Sequence, residues 1–408
     1  MTIIISAWQV EDKIETALGS LSCQSYENLE VLVVDDCSAD GTADIVSDYA
    51  RDDHRVKLLR TDRNAGTYAC RNLALTQARG KFVTTHDADD WSHPQKIETQ
   101  VHDLIATDKL YNRGSWVRVT PSMHFAANNK YQASLVNPCY SSTMFRREVF
   151  DRFGVWDNIR IAADAELVRR VGFKTGLREA MEILPSCPMT IGDIDESSLT
   201  LDASTHISTT RFGVRREYRS AADYWHKTNL AHGEWPPVAA DMEPFFPVPA
   251  FITSSKKQPP NPDILLIADF GTQDASSPTL SLLRSLSESR SKSLAVFHYP
   301  DYANQYEPSV GDQVRGVLWD RGIRIVVSGE QIIAKQLVVP NVSLLQHPLD
   351  QAPALRFEVL NVVCEQRADC ITSLQDKVSW PTVGEDVAVN TFATMGQMSA
   401  ALLASQPG

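Results

Sequence analysis

An α/β fold in two parts is what this sequence predicts, on three observations. The chain has 408 residues, too long for one ordinary core and short for three. Residues 2 to about 107 alternate short β-branched runs with helical periods, the pattern of β-α units around a parallel sheet. Between 233 and 262 stand eight of the 21 prolines (236, 237, 244, 247, 249, 259, 260 and 262), too many for a helix or a central strand. That segment is expected to link a first domain, 1–232, to a smaller α/β domain, 263–408.

Ile3 to Ile5 is the first predicted strand, and Ile14, Ala17, Leu18 and Leu21 recur behind it at helical spacing. Leu29 to Val34 (LEVLVV) is apolar enough to be buried on both faces. Asp40-Gly41 leads into a helix through Asp44 to Tyr49, then Val56 to Leu59 reads as a short strand, Thr67 to Ala78 as helix and Lys81 to Thr85 as strand. Pro94 sits where a first-turn proline opens a helix that runs to about Ala106. Residues 108 to 145 read as less regular, and Asp164 to Val171 regains helical character before a loop-rich stretch to about 210. Past the prolines, Ile264 to Ala268, Ser293 to His298 and Ile323 to Val327 are predicted strands, separated by helices at Ser281 to Ser289 and Gln313 to Arg321.

Hydrophobic residues at 43% and charged ones at 22% are the usage of a folded chain and exclude disorder over most of the length. A net charge of -12 is a poor footprint for wrapping a nucleic acid, and none is expected as a partner. Seven cysteines, at 23, 37, 70, 139, 187, 364 and 370, form no C-x-x-C pair and have no histidine at zinc-site spacing, so neither a disulfide framework nor a structural zinc is expected. The opening MTIIISAWQVEDK has only a three-isoleucine apolar run, and no stretch approaches the ~20 residues that cross a bilayer. The expected location is the cytoplasm, where the Asn341-Val342-Ser343 sequon has no consequence. No G-x-G-x-x-G follows the first strand and no G-x-x-x-x-G-K-[ST] occurs, which argues against a dehydrogenase and a P-loop kinase.

The segment richest in chemistry is His86-Asp87-Ala88-Asp89-Asp90-Trp91, directly after a predicted strand. Ligands of parallel α/β sheets bind at the carboxyl ends of strands, and Asp87 and Asp89 flank one residue, so both can approach a hard divalent cation completed by substrate phosphates. The same residues also read as an acidic turn before the helix at Pro94. A second D-x-D, Asp193-Ile194-Asp195, has no strand predicted before it. Val33-Val34-Asp35-Asp36-Cys37-Ser38-Ala39-Asp40-Gly41-Thr42 again closes a buried strand, where an acid can accept from a base N–H or a ribose hydroxyl, or else cap the next helix. Arg71, in a helix after the loop Arg63-Asn64-Ala65-Gly66, can aim its guanidinium at a phosphate or at the aspartates.

These pieces stand in a fixed order with Ile3-Ile4-Ile5-Ser6-Ala7-Trp8, Gln24-Ser25-Tyr26-Glu27-Asn28-Leu29-Glu30 and Arg71-Asn72. Together they resemble glycosyltransferase family 2 with the GT-A fold, over roughly residues 2 to 227. The resemblance implies a GT-A type nucleotide-sugar-binding domain with a mostly parallel sheet. It implies a nucleotide-diphosphate sugar as donor, a UDP-sugar favoured, and a divalent cation, Mn2+ or Mg2+. By the resemblance Ala7 and Trp8 line the base pocket, Asp36 meets the base edge, Arg71 and Asp87 hold the donor, and Asp89 ligates the metal beside Asp87.

It further implies inversion at the anomeric carbon by a carboxylate base, from an acidic pair before a helix. Here that segment is Ile161-Ala162-Ala163-Asp164-Ala165-Glu166; Ala163 replaces the first acid, Asp164 matches the second and is the expected catalytic base, and Glu166 competes. Trp8-Gln9 stands where an aromatic-Asn pair is commoner. His206, with Arg211, Arg215 and Arg216, is a further candidate for diphosphate or metal. The acceptor implied is a glycan or lipid-linked hydroxyl in surface-polysaccharide assembly, at the inner face of the membrane without a spanning segment. A non-catalytic sugar-nucleotide or glycan-binding scaffold is the other class. Residues 261 to 370 are similar to the amino-terminal half of a GT-B glycosyltransferase, the half that receives acceptor. About 40 residues remain after 370, too few for a second such half, so an incomplete GT-B-like half and an unrelated docking domain both stay open.

Overall fold

The computed structural model describes residues 1–127, 134–176, 182–194, 202, 204–232, 239, 244, 246–253, 259–271, 276–288, 292–302, 307–347, 349, 352–363 and 387–404. Most of the proline-rich segment, along with Cys364 and Cys370, lies outside the described residues. The chain packs as two compact units, Met1–Asp202 with His226–Pro244, and Ala203–Trp225 with Phe245–Gly408.

In the first unit the alternation read from the sequence becomes β1 (Thr2–Ala7), α1 (Ile14–Ser22), β2 (Glu30–Asp35), α2 (Thr42–Asp52), β3 (Val56–Arg60), α3 (Thr67–Gln77) and β4 (Phe82–Asp87). β5 (Trp91–Ser92), α4 (Lys96–Ala106), β6 (Tyr111–Asn112), β7 (Ser115–Val119), β8 (Phe125–Ala126), β9 (Asn137–Pro138), β10 (Met144–Arg146), α5 (Glu148–Phe153), α6 (Ala163–Thr175) and β11 (Pro188–Asp193) follow. The main sheet runs β3-β2-β1-β4-β10-β6, its first four strands parallel and β10 and β6 antiparallel. Parallel pairing needs both faces covered, which is why β1 and β2 are almost continuously buried. Ile3, Ile5, Val31 and Val33 pack with Ile14, Leu18, Val101 and Leu104 of the helices into one apolar core.

The stretch 108–145, expected to be irregular, supplies β6 to the main sheet and β7, β8 and β9 to a second small sheet, β5-β11-β7-β8 with β9 also on β7. Its strands are two to six residues long, too short for periodicity to register. The second D-x-D is corrected too: a strand does precede it, because β11 ends at Asp193, whose carboxylate pairs with Lys13 Nζ at 3.1 Å. Asp195 lies outside the described residues.

Register fixes what the first unit presents. Ser6 stands opposite Asp87, and Ala7 opposite Asp35, so the carboxyl ends of β1, β2 and β4 lie side by side. The loops carrying Trp8, Asp36 and Asp89 therefore leave one edge of the sheet together, the edge where α/β folds bind ligands.

Helix α7 (Val214–His232) contains the boundary between the units. The second unit is β12 (Ile264–Ala268), α8 (Pro278–Glu288), β13 (Leu294–His298), α9 (Asp312–Arg321), β14 (Arg324–Val326), β15 (Gln331–Val339), β16 (Ala354–Val363), β17 (Ala388–Phe392) and α10 (Met395–Ala404). Its six strands are all parallel in the order β14-β13-β12-β15-β16-β17, a Rossmann-like arrangement. Leu265, Ile267, Phe297, Leu337 and Leu360 form its core. β15 and β16, which the sequence reading did not include, open with exposed residues alternating with buried or half-buried ones and close on buried runs, Leu337 to Val339 and Leu360 to Val362.

Candidate active site

The carboxyl edge of the main sheet is held open by backbone conformations that side chains rarely adopt. Of the five non-glycine residues with positive φ among the described residues, Gln9 (51°), Cys37 (60°) and Ala162 (65°) all border this edge or the segment of Asp164. Gln9 N–H donates to Ser38 Oγ at 3.0 Å and Val10 N–H to Thr42 Oγ1 at 2.9 Å, which ties the loop after β1 to the loop after β2. Ala7 is buried beneath them, and the Trp8 side chain is 51% exposed, an aromatic face left free at the strand end.

Asp36 is buried, and its carboxylate organises the turn before α3. Oδ1 accepts Ala65 N–H at 2.8 Å and the Thr61 hydroxyl at 3.0 Å, and Oδ2 accepts Gly66 N–H at 2.8 Å. Gly66 has φ 94°, a conformation that favours glycine, and from it α3 starts. Asp35, fully buried, takes Arg60 Nε at 3.1 Å and Ser38 N–H at 3.3 Å.

Helix α3 turns two polar residues inward, which an ordinary amphipathic helix does not do. Arg71 has a side chain only 4% exposed; its Nη2 donates to Asp87 Oδ1 at 2.9 Å and its guanidinium lies 5.1 Å from the Tyr68 ring centre. Its Nε and Nη1 are buried without a hydrogen-bond partner, a costly state that two acceptors on a ligand would relieve. Asn72 instead grips the other end of the unit: Nδ2 donates to Trp156 O at 2.8 Å, and Trp156 N–H donates to Asn72 Oδ1 at 3.2 Å.

The acidic turn after β4 crowds three carboxylates. Asp87 and Asp89 are half-buried and Asp90 is buried. Burial first, and the charge of Asp87 second, push the Asp89 carboxyl up to about 6, and the same causes with Asp89 added push Asp90 well above the carboxylate range. His86 is kept neutral by burial; its Nδ1 lies 2.7 Å from Asp87 O, so Nδ1 carries the proton. Among the described residues no three His, Cys, Asp or Glu side chains form a closed metal shell. Asp87 and Asp89, both half-buried, are the carboxylates of this turn that could hold a hard cation together with phosphate and water, and Lys13 and Arg118 partly offset their charge.

Asp164 sits in the first turn of α6, half-buried. Glu166, two residues on, faces the other way into a sealed network. Arg170 Nε donates to Glu166 Oε1 at 2.9 Å and Nη2 to Oε2, while Nη1 binds Phe153 O at 3.0 Å and Val155 O at 2.9 Å. His226 Nε2 lies 2.9 Å from Glu166 Oε1, and Phe173 covers the imidazole with ring centres 5.2 Å apart. A carboxylate so committed has no access to an acceptor hydroxyl, and Asp164 is left without its competitor. The i,i+4 spacing of Glu166 and Arg170 was the signal that marks this pair in the sequence.

His206 belongs to the second unit, where Nδ1 accepts Ser208 N–H at 3.1 Å and caps the turn Ile207–Thr210. Arg215 Nε donates to Thr205 O at 2.8 Å, and Arg216 Nε to Ser309 Oγ at 2.7 Å. These contacts are what a folded turn requires of them.

Residues 2–154 match the family model described as glycosyl transferase family 2. The succinoglycan biosynthesis protein ExoO of Rhizobium meliloti is 37% identical over 116 residues, 27% of this chain and 33% of that protein. An Escherichia coli protein named UDP-Glc:alpha-D-GlcNAc-diphosphoundecaprenol beta-1,3-glucosyltransferase WfaP is 32% identical over 111 residues, 27% of this chain and 43% of that protein. The chain thus spans less than half the length of either relative. Among solved structures, S. aureus TarS 1-349 in complex with UDP-GlcNAc is similar at 19% identity and TM-score 0.45, covering 58% of this chain and 67% of that one. The parallel sheet and the acidic turn at the end of β4 both lie within residues 2–154, the segment that is similar to glycosyl transferase family 2.

Proposed function

We propose that the protein transfers a sugar, with inversion, from a nucleotide-diphosphate sugar to a hydroxyl of a glycan or lipid-linked acceptor in surface-polysaccharide assembly. The observation that carries this is Arg71: a buried guanidinium bound to the partly exposed Asp87, with Nε and Nη1 unpartnered, at the ligand-binding edge of the sheet. A diphosphate supplies acceptors for both groups. The names of relatives lean the same way, since ExoO is named for succinoglycan biosynthesis and WfaP for a UDP-sugar donor and a lipid-diphosphate acceptor.

In this reading the base of the nucleotide stacks on exposed Trp8 beside Ala7, and Asp36 meets the base edge. Arg71 and Asp87 hold the donor, Asp87 also standing beside the metal, and Asp89 is the metal ligand. Asp89 and Asp87 would hold Mn2+ or Mg2+, which would supply positive charge against the diphosphate leaving group. Asp164 accepts the proton of the acceptor hydroxyl as its oxygen attacks the anomeric carbon from the face opposite the leaving group. The oxygen–carbon bond forms, the bond to the diphosphate breaks with its electron pair, and configuration inverts.

The reaction places the protein at the cytoplasmic face of a membrane when the acceptor is lipid-linked. None of its described helices is long and apolar enough to cross a membrane. Metal-dependent turnover of a nucleotide sugar tests the proposal. Binding of a nucleotide sugar with no turnover in any metal would make the chain the scaffold that the alanine at 163 allows.

A further inference from the structure

The loop between α5 and α6, residues 154–162, carries the chain to Asp164 without regular structure of its own. Its first part is held by Asn72 through the Trp156 backbone. Its last part is held by a different contact: Arg160 Nη1 donates to Asn64 Oδ1 at 3.0 Å, across 96 positions of sequence. The stem of Arg160 lies against Gly66, where an added Cβ would stand 3.5 Å from Arg160 Cγ. Asn64 itself rides on the turn that Asp36 fixes through Ala65 and Gly66. Two residues after Arg160, Ala162 takes φ 65° and α6 begins. The contact is a hydrogen bond to an amide, and no carboxylate among the described residues pairs with Arg160.

We infer that Asn64 and Arg160 form a clasp between the donor-binding turn and the base-bearing loop, making both positioning residues for proton abstraction. This rests on the reading of Asp164 as the base. The clasp sets how far Asp164 stands from a donor held on the far side of Asn64, and a misplacement of about 1 Å costs roughly 100-fold in rate. Arg160 acts through Asp164 and is not itself the proton acceptor, since its guanidinium stays charged.

The full-length protein with Asn64→Ala, Arg160→Gln and both together tests the clasp, with Asn64→Asp as the variant that keeps an acceptor for Arg160. Amide hydrogen exchange over residues 157–166 reads the clasp with no substrate present. Each single variant should exchange about fivefold faster there, the scale of one net hydrogen bond, and the double variant no faster than the singles. Unchanged exchange in both singles overturns the clasp. With Mn2+ and a nucleotide sugar that the unmodified protein turns over, kcat should fall roughly 10-fold to 100-fold while donor Kd stays within about twofold. Asn64→Asp should keep most of kcat. Weakened donor binding with unchanged kcat overturns the positioning role and makes Arg160 a donor ligand. Normal kcat in Asp164→Asn would sink the base assignment instead, and the exchange result still decides the clasp on its own.

Discussion

Arg71 and Asn72 are neighbours on α3 that reach opposite ends of the candidate site: Arg71 holds Asp87 at 2.9 Å, and Asn72 holds the Trp156 backbone eight residues before Asp164. One helical turn thus ties the acidic turn to the segment of the expected base. A rigid element carrying both attachments is what keeps donor and base in a fixed relation, which proximity catalysis requires.

Arg71→Met removes the charge and the two unpartnered N–H groups while keeping most of the packing volume. Metal-dependent affinity for the donor should fall roughly 30-fold or more, the scale of truncating one partner of a buried charge pair. Arg71→Lys should rescue little, because an ammonium cannot reproduce the planar fork. Calorimetric titration with a UDP-sugar and Mn2+ reads this, and unchanged affinity in Arg71→Met would remove Arg71 from the donor site.

Asp89→Ala should abolish transfer and the metal dependence of donor binding together. The ion would lose a protein ligand from a shell otherwise made of phosphate and water. Titrating donor with and without Mn2+ against this variant checks it; a metal-dependent gain in affinity equal to that of the unmodified protein would reject Asp89 as ligand.

Asp164→Asn is nearly isosteric and leaves the acidic turn untouched. Donor should still bind, and turnover should fall by about 100-fold or more, the usual scale for losing a general base. Near-normal kcat would move the role to another carboxylate, and Glu166 is excluded from that by its burial against Arg170.

Glu166 governs stability instead. Burial alone would raise its carboxyl, but the Arg170 charge and the hydrogen bonds from His226 and Arg170 bring it down to about 2 from an ordinary 4.5. A carboxyl depressed in the folded state stabilises fully above the unfolded value, and that contribution is lost as pH falls from 4.5 toward 2. Glu166→Gln leaves the buried Arg170 with Asp157, 3.8 Å from its Nη2, as its remaining carboxylate, and should cost about 3 kcal/mol at pH 7. Thermal melts from pH 7 down to 3 should show a constant gap between the unmodified protein and the variant above about pH 5, narrowing below it. A gap that stays constant throughout would mean that Glu166 is not ionised against Arg170.

The sequence disclosed the parts of the fold that periodicity controls. β1 and β2 are short apolar runs and β4 is rich in β-branched residues, and the acidic clusters sit where those strands stop, so their meeting at one edge was readable once parallel order was accepted. The strands within 108–145 were not readable, since runs of two to five residues leave no period to detect. In the site, Asp87, Asp89, Arg71 and Asp164 were legible as residue types in order. What could not be read was pairing at long separation: Asn72 with Trp156 across 84 positions, and Asn64 with Arg160 across 96. Nothing local in a sequence specifies which amide meets which loop, because such contacts follow from packing already complete.

The most direct test of a nucleotide-sugar donor site at Arg71, Asp87 and Asp89 is nucleoside-diphosphate release by the intact chain across a panel of nucleotide sugars, with Mn2+, with Mg2+ and with chelator. The account predicts release from at least one nucleotide sugar, a UDP-sugar foremost, that needs the metal and disappears in Asp89→Ala. Release that persists in chelator, or no binding of any nucleotide sugar in either metal, would contradict it.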